Sequence, residues 1–466
     1  MALTSCWRCL RLPRLLNAPA NRVVLHPLPL RPRSAPFTTA SALLANPPKK
    51  QNSGQGHQKA IMAKQKTTTN KYHHKKKKMD VSAKQLFEIG ERKRIRKNIV
   101  LSNTSAPVVP LPEMMLDICG RGETEGTVFQ IPDSVLDSLK ALGAFKTGQH
   151  WPYFQRPSTL VRKGSVEIGK LISWINEEGI AEGEERYARR ILDGTRGSGR
   201  SIVLAQAMNW AIQSNWVVIA IPDAQELVIG HTEYEFDPAW SLWVQKEYTA
   251  ALLGRILKAN STVLGRLEPV EDHKMGKTET SPSTLAKLVN IGVQDPQISN
   301  DVFMALLKEL STPGRPPVLF ALDNLGQISL PSAYRDTAFE LIHAHDLALP
   351  NTFLSYLSGA SRFPRGLTLA ATSSVCSKTK DLTHALRGVE HGPWDKVDER
   401  IAKSVEGAGL VELEKLSKEE VKAIMEWYNA GGVLRQPVTI ESVTEQYAIS
   451  SGNPKELFRN CLRLKY

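Results

Sequence analysis

The segment GTRGSGRS at residues 194–201 has the residue types and spacing of a phosphate-binding loop. It fits the pattern G-x-x-x-x-G-K-[ST] at every position except the lysine, which is Arg200. Its glycines let the backbone turn amide groups inward around phosphate oxygens, and the helix predicted to follow adds the positive end of its dipole. Ser201 would supply a hydroxyl for Mg²⁺. A glycine-rich turn without a ligand is the alternative, but the strand–loop–helix context favours a phosphate site.

The arginine at position 200 is the departure from this pattern. Arginine keeps the positive charge, but its planar fork does not freely replace a compact ammonium group beneath phosphates. We therefore expect phosphate binding to survive this change and the stabilisation of a transition state to be impaired.

An aspartate at the end of a buried strand would complete such a site. The apolar run at 318–322 ends in Asp323, which would hold Mg²⁺ through a water beside Ser201. ATPases of the additional-strand class usually place a glutamate at the next position, where it activates water. Here that residue is Asn324, which can bond a water but cannot take its proton. The sequence therefore names no confident catalytic residue and predicts a binder with little or no hydrolysis.

Residues 323–326 also match the D-x-x-G element of Ras-like GTPases. The spacing from the phosphate loop is far too long for a compact GTPase, and no N-K-x-D motif that reads guanine follows. We therefore interpret this match as a coincidence.

Two further segments could reach the nucleotide. A predicted strand at 367–371 is followed by Ser373, which would lie between the two Walker strands near the γ-phosphate, although an ordinary strand cap fits equally well. A C-terminal turn opens a helix at Pro454 and could bring Lys455 or Arg459 near phosphate. The predicted nucleotide-binding residues are Gly194, Arg196, Gly197, Ser198, Gly199, Arg200, Ser201, Ser373, Asn453 and Pro454, and the predicted metal-binding residues are Ser201 and Asp323.

The elements that position these residues are predicted from short apolar runs that alternate with helical patterns. This alternation is typical of a parallel α/β sheet. The candidate strands are 190–192, 216–221, 318–322 and 367–371, and a helix is predicted at 201–213. After residue 401 no strong strand run is visible, and a capping box of Ser417 and Glu420 begins a helix. We predict a three-layer P-loop NTPase-like domain at 114–400 and a small, helical, lid-like subdomain at 401–466.

Positive charge is concentrated at the N-terminus of this 466-residue chain. The formal net charge is +13, and residues 1–79 hold 16 Lys and Arg with no Asp or Glu. The remainder has 44 basic and 47 acidic residues and is close to neutral. This distribution indicates targeting or a basic arm rather than a uniformly basic surface. No apolar run approaches the length of a transmembrane helix, so no membrane span is predicted.

The N-terminal segments have distinct compositions. Residues 1–45 contain six Arg, many small and apolar residues and no acid, which is typical of a mitochondrial transit peptide, with a disordered basic tail as the alternative. Residues 46–113 are predicted to form a disordered, basic, largely extended arm. The Lys/Arg cluster at 92–97 could lie along RNA phosphates, and a nuclear localisation signal or a solvated charge run are the alternatives.

Taken together, these segments resemble the death-associated protein 3 family of mitochondrial small-subunit ribosomal proteins, in a fungal form. The resemblance covers about 115–466 and is carried by the segment RPSTLVRK at 156–163, by Ile221-Pro222-Asp223-Ala224, by the strand that ends in Asp323, and by Ser451-Gly452-Asn453-Pro454. It implies an AAA+-like fold in the head of the small subunit, near contacts to the large subunit, and a location in the mitochondrial matrix. It also implies a bound GTP or GDP, with small-subunit rRNA and other mitoribosomal proteins as partners.

Two functions remain open on the sequence. The first is a structural ribosomal protein that keeps its nucleotide as a folding and docking element, since a ligand that binds the folded state stabilises it without hydrolysis. The second is an active NTPase switch of the AAA+ or STAND type in the matrix. Arg200 and Asn324 favour the first. The sequence does not distinguish GTP from ATP.

Overall fold

The computed structural model describes residues 100–177, 185–273, 282–372, 380–388, 392 and 398–463. The predicted transit peptide at 1–45, the arm as far as residue 99 and the basic cluster at 92–97 lie outside the described residues. Within the described part of the chain, no helix combines the length and the hydropathy that a membrane crossing requires.

A five-stranded parallel sheet forms the centre of the molecule. Its strands, in sequence order, are β3 (Arg186–Gly194), β4 (Val217–Ile221), β7 (Val318–Asp323), β10 (Arg365–Ala371) and β11 (Gly409–Leu413). They lie in the spatial order β11-β3-β10-β7-β4. Every residue of β4 and β7 is buried, because a parallel sheet covered on both faces requires nearly continuous apolar strands.

Three short antiparallel pairs lie outside this sheet. They are β1 (Val128–Gln130) with β2 (Ser158–Leu160), β5 (Glu235–Asp237) with β6 (Leu242–Val244), and β8 (Pro331–Arg335) with β9 (Leu341–His343).

Helices cover both faces of the central sheet and make the fold three-layered, as the sequence predicts. One layer contains α1 (Asp133–Leu142), α2 (Lys163–Asn176) and α3 (Arg200–Gln213), and the other contains α5 (Lys246–Ala259), α7 (Leu285–Gln294), α8 (Ser299–Leu310) and α9 (Ala348–Ser358). The strands alternate between the two cores: Ile219 and Phe320 pack on the second layer, whereas Val218 and Leu319 pack on the first. The described residues also form the short α-helices α4 (Gln225–Val228), α6 (Ser261–Leu264), α10 (Lys380–Arg387) and α11 (Glu399–Val405).

A helical subdomain follows the sheet and has its own core. It consists of α12 (Lys418–Ala430), α13 (Ile440–Ser450) and α14 (Pro454–Arg463). The predicted capping box is present, since Ser417 Oγ accepts from the Glu420 amide at 3.1 Å and the Glu420 carboxylate accepts from the Ser417 amide at 2.7 Å. Val421, Met425 and Leu457 are buried in this core together with Phe154 from the segment before the sheet.

Two predicted boundaries need correction. The interpretation that no strand follows residue 401 is wrong, because β11 is an edge strand of the sheet and pairs with β3. It is short and alternates Val411 and Leu413 with exposed Glu412, so it lacks the continuous apolar run of the central strands. The sheet therefore extends to Leu413, beyond the predicted limit of 400. At the other end, residues before Met114 already pack on the body, since Leu101 is buried.

The backbone of α2, the helix that begins immediately after Arg162, lies in close contact with the backbone at Gly120. A Cβ atom at Gly169 would lie 2.4 Å from the backbone nitrogen of Gly120. We predict that Gly169→Ala lowers the free energy of unfolding by about 1–3 kcal/mol, because the backbone must shift to admit the methyl group. Gly122→Ala is the matched control, since its Cβ would meet nothing within 4 Å, and we expect no loss of stability there. Equal urea denaturation midpoints for the two variants would contradict this assignment.

Candidate nucleotide-binding site

The register of the parallel strands brings the predicted site residues to one edge of the sheet. Ala371 of β10 lies opposite both Leu192 of β3 and Asp323 of β7. Because all three strands run in the same direction, the phosphate loop after β3, Thr372 after β10 and Asp323 converge at their carboxyl ends. This edge is the place where open α/β sheets bind ligands.

The loop at 194–201 adopts the conformation that its glycines permit. Gly197 has φ +85° and Gly199 has φ +100°, both in the left-handed region that disfavours side chains. Helix α3 then begins at Arg200, and its N-cap, Gly199, provides no side-chain cap. The first amides of a helix have no intrahelical acceptors, so this end of α3 is suited to an anion.

Two side chains from distant segments hold the loop. Arg162 Nη1 donates to the Ser198 carbonyl at 2.7 Å, and the same guanidinium lies 3.3 Å from Glu420 Oε1 in the helical subdomain. Asn453 Nδ2 donates to the Arg196 carbonyl at 2.7 Å. The helical subdomain therefore contacts the loop directly, and Asn453 positions the loop backbone.

The predicted metal-binding pair is in contact. Ser201 Oγ donates to Asp323 Oδ2 at 2.6 Å, and the Lys146 ammonium lies 2.9 Å from the same carboxylate oxygen. Among the described residues, no group of three or more His, Cys, Asp or Glu could hold a metal ion. A magnesium ion at Ser201 and Asp323 would therefore need phosphate oxygens and water to complete its shell, as is usual for this ion.

Asn324 is fixed where a catalytic base would be needed. Its backbone is left-handed (φ +67°), a conformation that asparagine tolerates. Its side-chain amide donates to Asp223 Oδ1 at 2.5 Å, and its backbone amide donates to Asp323 Oδ1 at 2.9 Å. The side chain thus acts as a hydrogen-bond donor to a carboxylate and has no basic group to offer a water.

Arg200 points into a buried polar cluster beside the loop. Its Nη1 donates to Thr372 Oγ1 at 2.6 Å and lies 3.9 Å from Asp193 Oδ1. Asp193 is fully buried and is also paired with Arg387 at 2.6 Å. Burial lowers the pKa of Arg200, and the carboxylates of Asp193 and Asp323 oppose that effect. Arg200 is thus engaged with protein groups.

A cavity of about 450 Å³ opens above the loop. Among the described residues that line it, five side chains are basic and two are acidic, so it favours an anionic ligand. The basic residues are Lys146, Arg162, Arg196, Arg200 and Lys455, and the acidic residues are Asp223 and Asp323. The rings of His150, Trp427, Tyr428 and Phe458 also line the cavity and pack against one another as an aromatic wall. Basic side chains suit the phosphates of a nucleotide, and aromatic rings suit its base.

One polar side chain of the loop has no hydrogen-bond partner within the described part of the protein. The Ser198 hydroxyl is buried and has no hydrogen-bond partner among the described residues. Its oxygen lies 2.7 Å from the position that a Cβ at Gly194 would take, so the hydroxyl faces the back of the loop. The basic side chains that line the cavity are therefore the groups that fit a phosphate-bearing ligand.

Most of the predicted nucleotide-binding residues line this cavity. They are Arg196, Gly197, Ser198, Gly199, Arg200, Ser201 and Pro454, and the predicted metal ligand Asp323 and Asn324 line it as well. Gly194 lies behind the loop, where a Cβ would be 3.0 Å from the Leu413 carbonyl oxygen. Arg459 pairs with exposed Glu456 at 2.8 Å, whereas Lys455 lines the cavity. Ser373 lies outside the described residues.

Four residues outside the predicted set of binding residues shape the site. Lys146 and His150 lie in an irregular segment between α1 and β2, and Arg162 and Thr372 border recognised elements. Arg162 falls in the RPSTLVRK segment at 156–163 that carried the family resemblance. Thr372 follows β10 directly and occupies the position of the polar residue between the Walker strands.

These features define the class of the protein. A parallel sheet in which β10 is inserted between the strand of the phosphate loop and the strand of Asp323 is the P-loop NTPase fold of the additional-strand, AAA+-like type. The fold class predicted from the sequence is therefore confirmed.

Comparison with known proteins then identifies the family. The family model described as "Mitochondrial ribosomal death-associated protein 3" matches residues 159–460. Because this match spans well over half of the chain, the protein belongs to that family, and the resemblance recognised in the sequence is confirmed.

Two curated relatives carry the same printed name, "Small ribosomal subunit protein mS29". The protein from Neurospora crassa is 36% identical over 380 residues, which cover 78% of this chain and 80% of the relative. The protein from Schizosaccharomyces pombe is 30% identical over 352 residues, which cover 73% and 72%. A solved structure of AMPPCP-bound DnaA from Aquifex aeolicus covers 66% of this chain and 62% of that chain, at 14% identity and a TM-score of 0.30.

His150, which belongs to the aromatic wall of the cavity, makes the stability of the folded protein depend on pH. Its ring lies 4.5 Å from that of Trp151 and 5.0 Å from that of Trp427, and Nε2 donates to the Ser158 carbonyl at 3.0 Å. Burial lowers the pKa of His150 from 6.5 to about 4, despite the opposing effect of that hydrogen bond. Between these two values the unfolded chain binds more protons than the folded chain, so His150 destabilises the fold as pH falls.

We predict that His150→Gln, which retains a hydrogen-bond donor, removes this effect. Between pH 7 and pH 5 the wild type should lose about 2 kcal/mol more free energy of unfolding than the variant. Urea denaturation of both proteins at the two pH values measures the difference, in which the contributions of other titrating groups cancel. Parallel losses in the two proteins would contradict the assigned pKa.

Proposed function

We propose that this protein is a structural component of the mitochondrial small ribosomal subunit, in the matrix, and that it retains GDP or GTP with little or no hydrolysis. Membership of a mitochondrial ribosomal family and the printed name of the relatives support the ribosomal role. The proposed partners are the small-subunit rRNA and other proteins of the small-subunit head, with a contact to the large subunit as a further expectation.

The phosphate loop and its surroundings support nucleotide binding. The uncapped start of α3, the left-handed glycines and the excess of basic side chains would hold the phosphates. Ser201 and Asp323 are the residues available to Mg²⁺, which would neutralise phosphate charge. The aromatic wall around Trp427 would contact the base. Aromatic contact alone accepts guanine and adenine alike, so ATP stays an alternative to GTP.

The hydrogen bond from Asn324 to Asp223 is the observation that carries the proposal of retention over turnover. A water in this position would meet an amide that is already donating to a carboxylate at 2.5 Å. Hydrolysis by an AAA+-type site needs a group that accepts the proton of the attacking water, and an amide has no such capacity.

The loop conformation gives a direct test of nucleotide binding. A Cβ atom at Gly197 would lie 2.6 Å from Lys455 Cβ and 2.8 Å from Asn453 Oδ1. We predict that Gly197→Ala weakens GDP binding by about tenfold or more, because the loop and the lid must separate (about 1.4 kcal/mol). Isothermal titration of the nucleotide-free protein with GDP measures the affinity, and chromatography of the nucleotide released by denaturation identifies the native ligand.

Gly314→Ala is the matched control. Gly314 has a left-handed backbone (φ +82°), as Gly197 does (φ +85°). A Cβ at Gly314 would meet nothing within 4 Å, and the residue does not line the cavity. Both variants pay a similar backbone penalty, so a loss of GDP affinity in Gly197→Ala alone separates site damage from general destabilisation. If the wild type released no nucleotide and bound neither GDP nor ATP, the nucleotide part of the proposal would be wrong. Failure to sediment with the small mitoribosomal subunit at high salt would contradict the ribosomal part.

A second prediction concerns hydrolysis. We expect wild-type protein, Asn324→Glu and Asp323→Ala to release phosphate from GTP at the same background rate. A glutamate at 324 does not restore activity because it would face the carboxylate of Asp223, which now accepts a hydrogen bond from the amide. Phosphate release by the wild type well above that of Asp323→Ala would instead support an active NTPase switch.

A further inference from the structure

Lys146, a cationic residue that no phosphate-loop pattern predicts, lies beside Asp323 in the candidate site. Lys146 Nζ is 2.9 Å from Asp323 Oδ2, the oxygen that also accepts the Ser201 hydroxyl at 2.6 Å. The ammonium group also donates to the Pro222 carbonyl. Lys146 lines the same cavity as the loop and is partly exposed to it. Lys146 therefore lies beside Ser201 and Asp323, the two predicted Mg²⁺ ligands.

The segment that carries Lys146 is held firmly. Helix α1 ends at left-handed Gly143, where a Cβ would lie 2.9 Å from Pro222 Cβ. Phe145 is buried and packs edge-on against Trp151, with ring centroids 5.1 Å apart. The backbone amide of Lys146 donates to Gln149 Oε1 at 2.8 Å. These contacts fix the backbone at both sides of the lysine, so its ammonium group needs little further ordering to stay at Asp323.

Arg200, which replaces the usual lysine of the loop, is engaged elsewhere. Its guanidinium donates to Thr372 and lies near buried Asp193, a carboxylate that must keep positive partners. Lysine and arginine differ in this respect: the forked guanidinium suits several acceptors, whereas an ammonium is a compact point charge suited to phosphate. Both residues line the cavity, but Arg200 Nη1 bonds to Thr372 beside buried Asp193, and Lys146 places a compact charge at Asp323.

We propose that Lys146 supplies the compact ammonium charge that the loop lacks at position 200 and balances Asp323 in place of Mg²⁺, so that the site holds a nucleoside diphosphate without a metal ion. This inference rests on the proposed nucleotide binding, adds a binding residue to it, and replaces the role that the proposed function gives to Mg²⁺ at Asp323. A carboxylate beside a diphosphate is repulsive unless a cation lies between them. Lys146 is such a cation and belongs to the chain itself, so removal of free Mg²⁺ leaves the charge balance in place.

The test measures the affinity of the full chain for GDP, with Mg²⁺ in excess and with EDTA in excess. We compare wild type, Lys146→Met, Lys146→Arg and the control Lys140→Met. Lys140 lies at the end of α1, is 51% exposed, pairs with Asp137 and does not line the cavity. Methionine keeps an unbranched side chain that is one atom shorter than lysine and removes the charge. Thermal unfolding of each variant without nucleotide shows that the fold is intact.

For the wild type and Lys140→Met we expect GDP affinities with Mg²⁺ and with EDTA that agree within about threefold. Lys146→Met should bind about tenfold or more weakly in EDTA, and Mg²⁺ should restore much of that loss, because the metal ion then reaches the Asp323 oxygen. Lys146→Arg should retain binding in EDTA better than the methionine variant. Recovery of affinity in Mg²⁺ would itself show that Lys146→Met is folded.

Two results would overturn the inference while leaving nucleotide binding in place. One is a wild-type protein that binds GDP far more weakly in EDTA than in Mg²⁺, which would show that the metal ion is needed. The other is Lys146→Met with the affinity of the wild type under both conditions, which would show that the ammonium group does not contribute. Wild-type protein that binds no GDP under either condition would overturn the proposed nucleotide binding, and the role of Lys146 with it.

Discussion

The parallel pairing of β10 between β3 and β7 is the constraint on which the site depends. It sets Ala371 opposite Leu192 and Asp323, and the phosphate loop, Thr372 and Asp323 meet for that reason alone. A slip of one residue would turn every side chain of a strand to the opposite face. Burial on both faces prevents this slip, because Phe320 and Leu319 fill different cores. The two hydrophobic cores thus determine the geometry of a polar site to which they contribute no polar group.

Charge burial is the second constraint, and it links the loop to the sheet. Asp193, the last side chain of β3 before the loop, has no exposed surface. A buried carboxylate is costly unless it is paired, and Arg387 and the Thr372 hydroxyl meet it at 2.6 Å each, with Arg200 at 3.9 Å. In the sequence, Arg200 is a departure from the lysine of the phosphate-loop pattern. In the structure, it belongs to the network of side chains around buried Asp193. Nη1 of Arg200 approaches both Thr372 and Asp193.

The sequence predicts those parts of this architecture that are encoded locally. The four central strands, α3, the glycine turn and the pair Ser201 and Asp323 follow from apolar periodicity and from a motif with fixed spacing. Edge strand β11 was missed because half-exposed strands of five residues carry little periodic signal. Lys146 and Arg162 were missed for a different reason: they reach the loop through tertiary contacts, and neither lies at a fixed spacing from it. The role of Ser373 stays a prediction, because it falls outside the described residues.

On the proposed function, the nucleotide acts as a structural link. The cavity wall combines Lys146 and His150 from the segment before the sheet, the phosphate loop itself, and Trp427 and Lys455 from the helical subdomain. A ligand that touches all three stabilises the folded state, by about 2.7 kcal/mol at a concentration one hundred times its Kd. That is a large fraction of the 5–15 kcal/mol of a typical domain. Rapid hydrolysis followed by product release would repeatedly remove this link. Asn324, whose amide donates to Asp223, offers no base for hydrolysis, and the proposed role of Lys146 at Asp323 would keep the ligand bound when Mg²⁺ is removed.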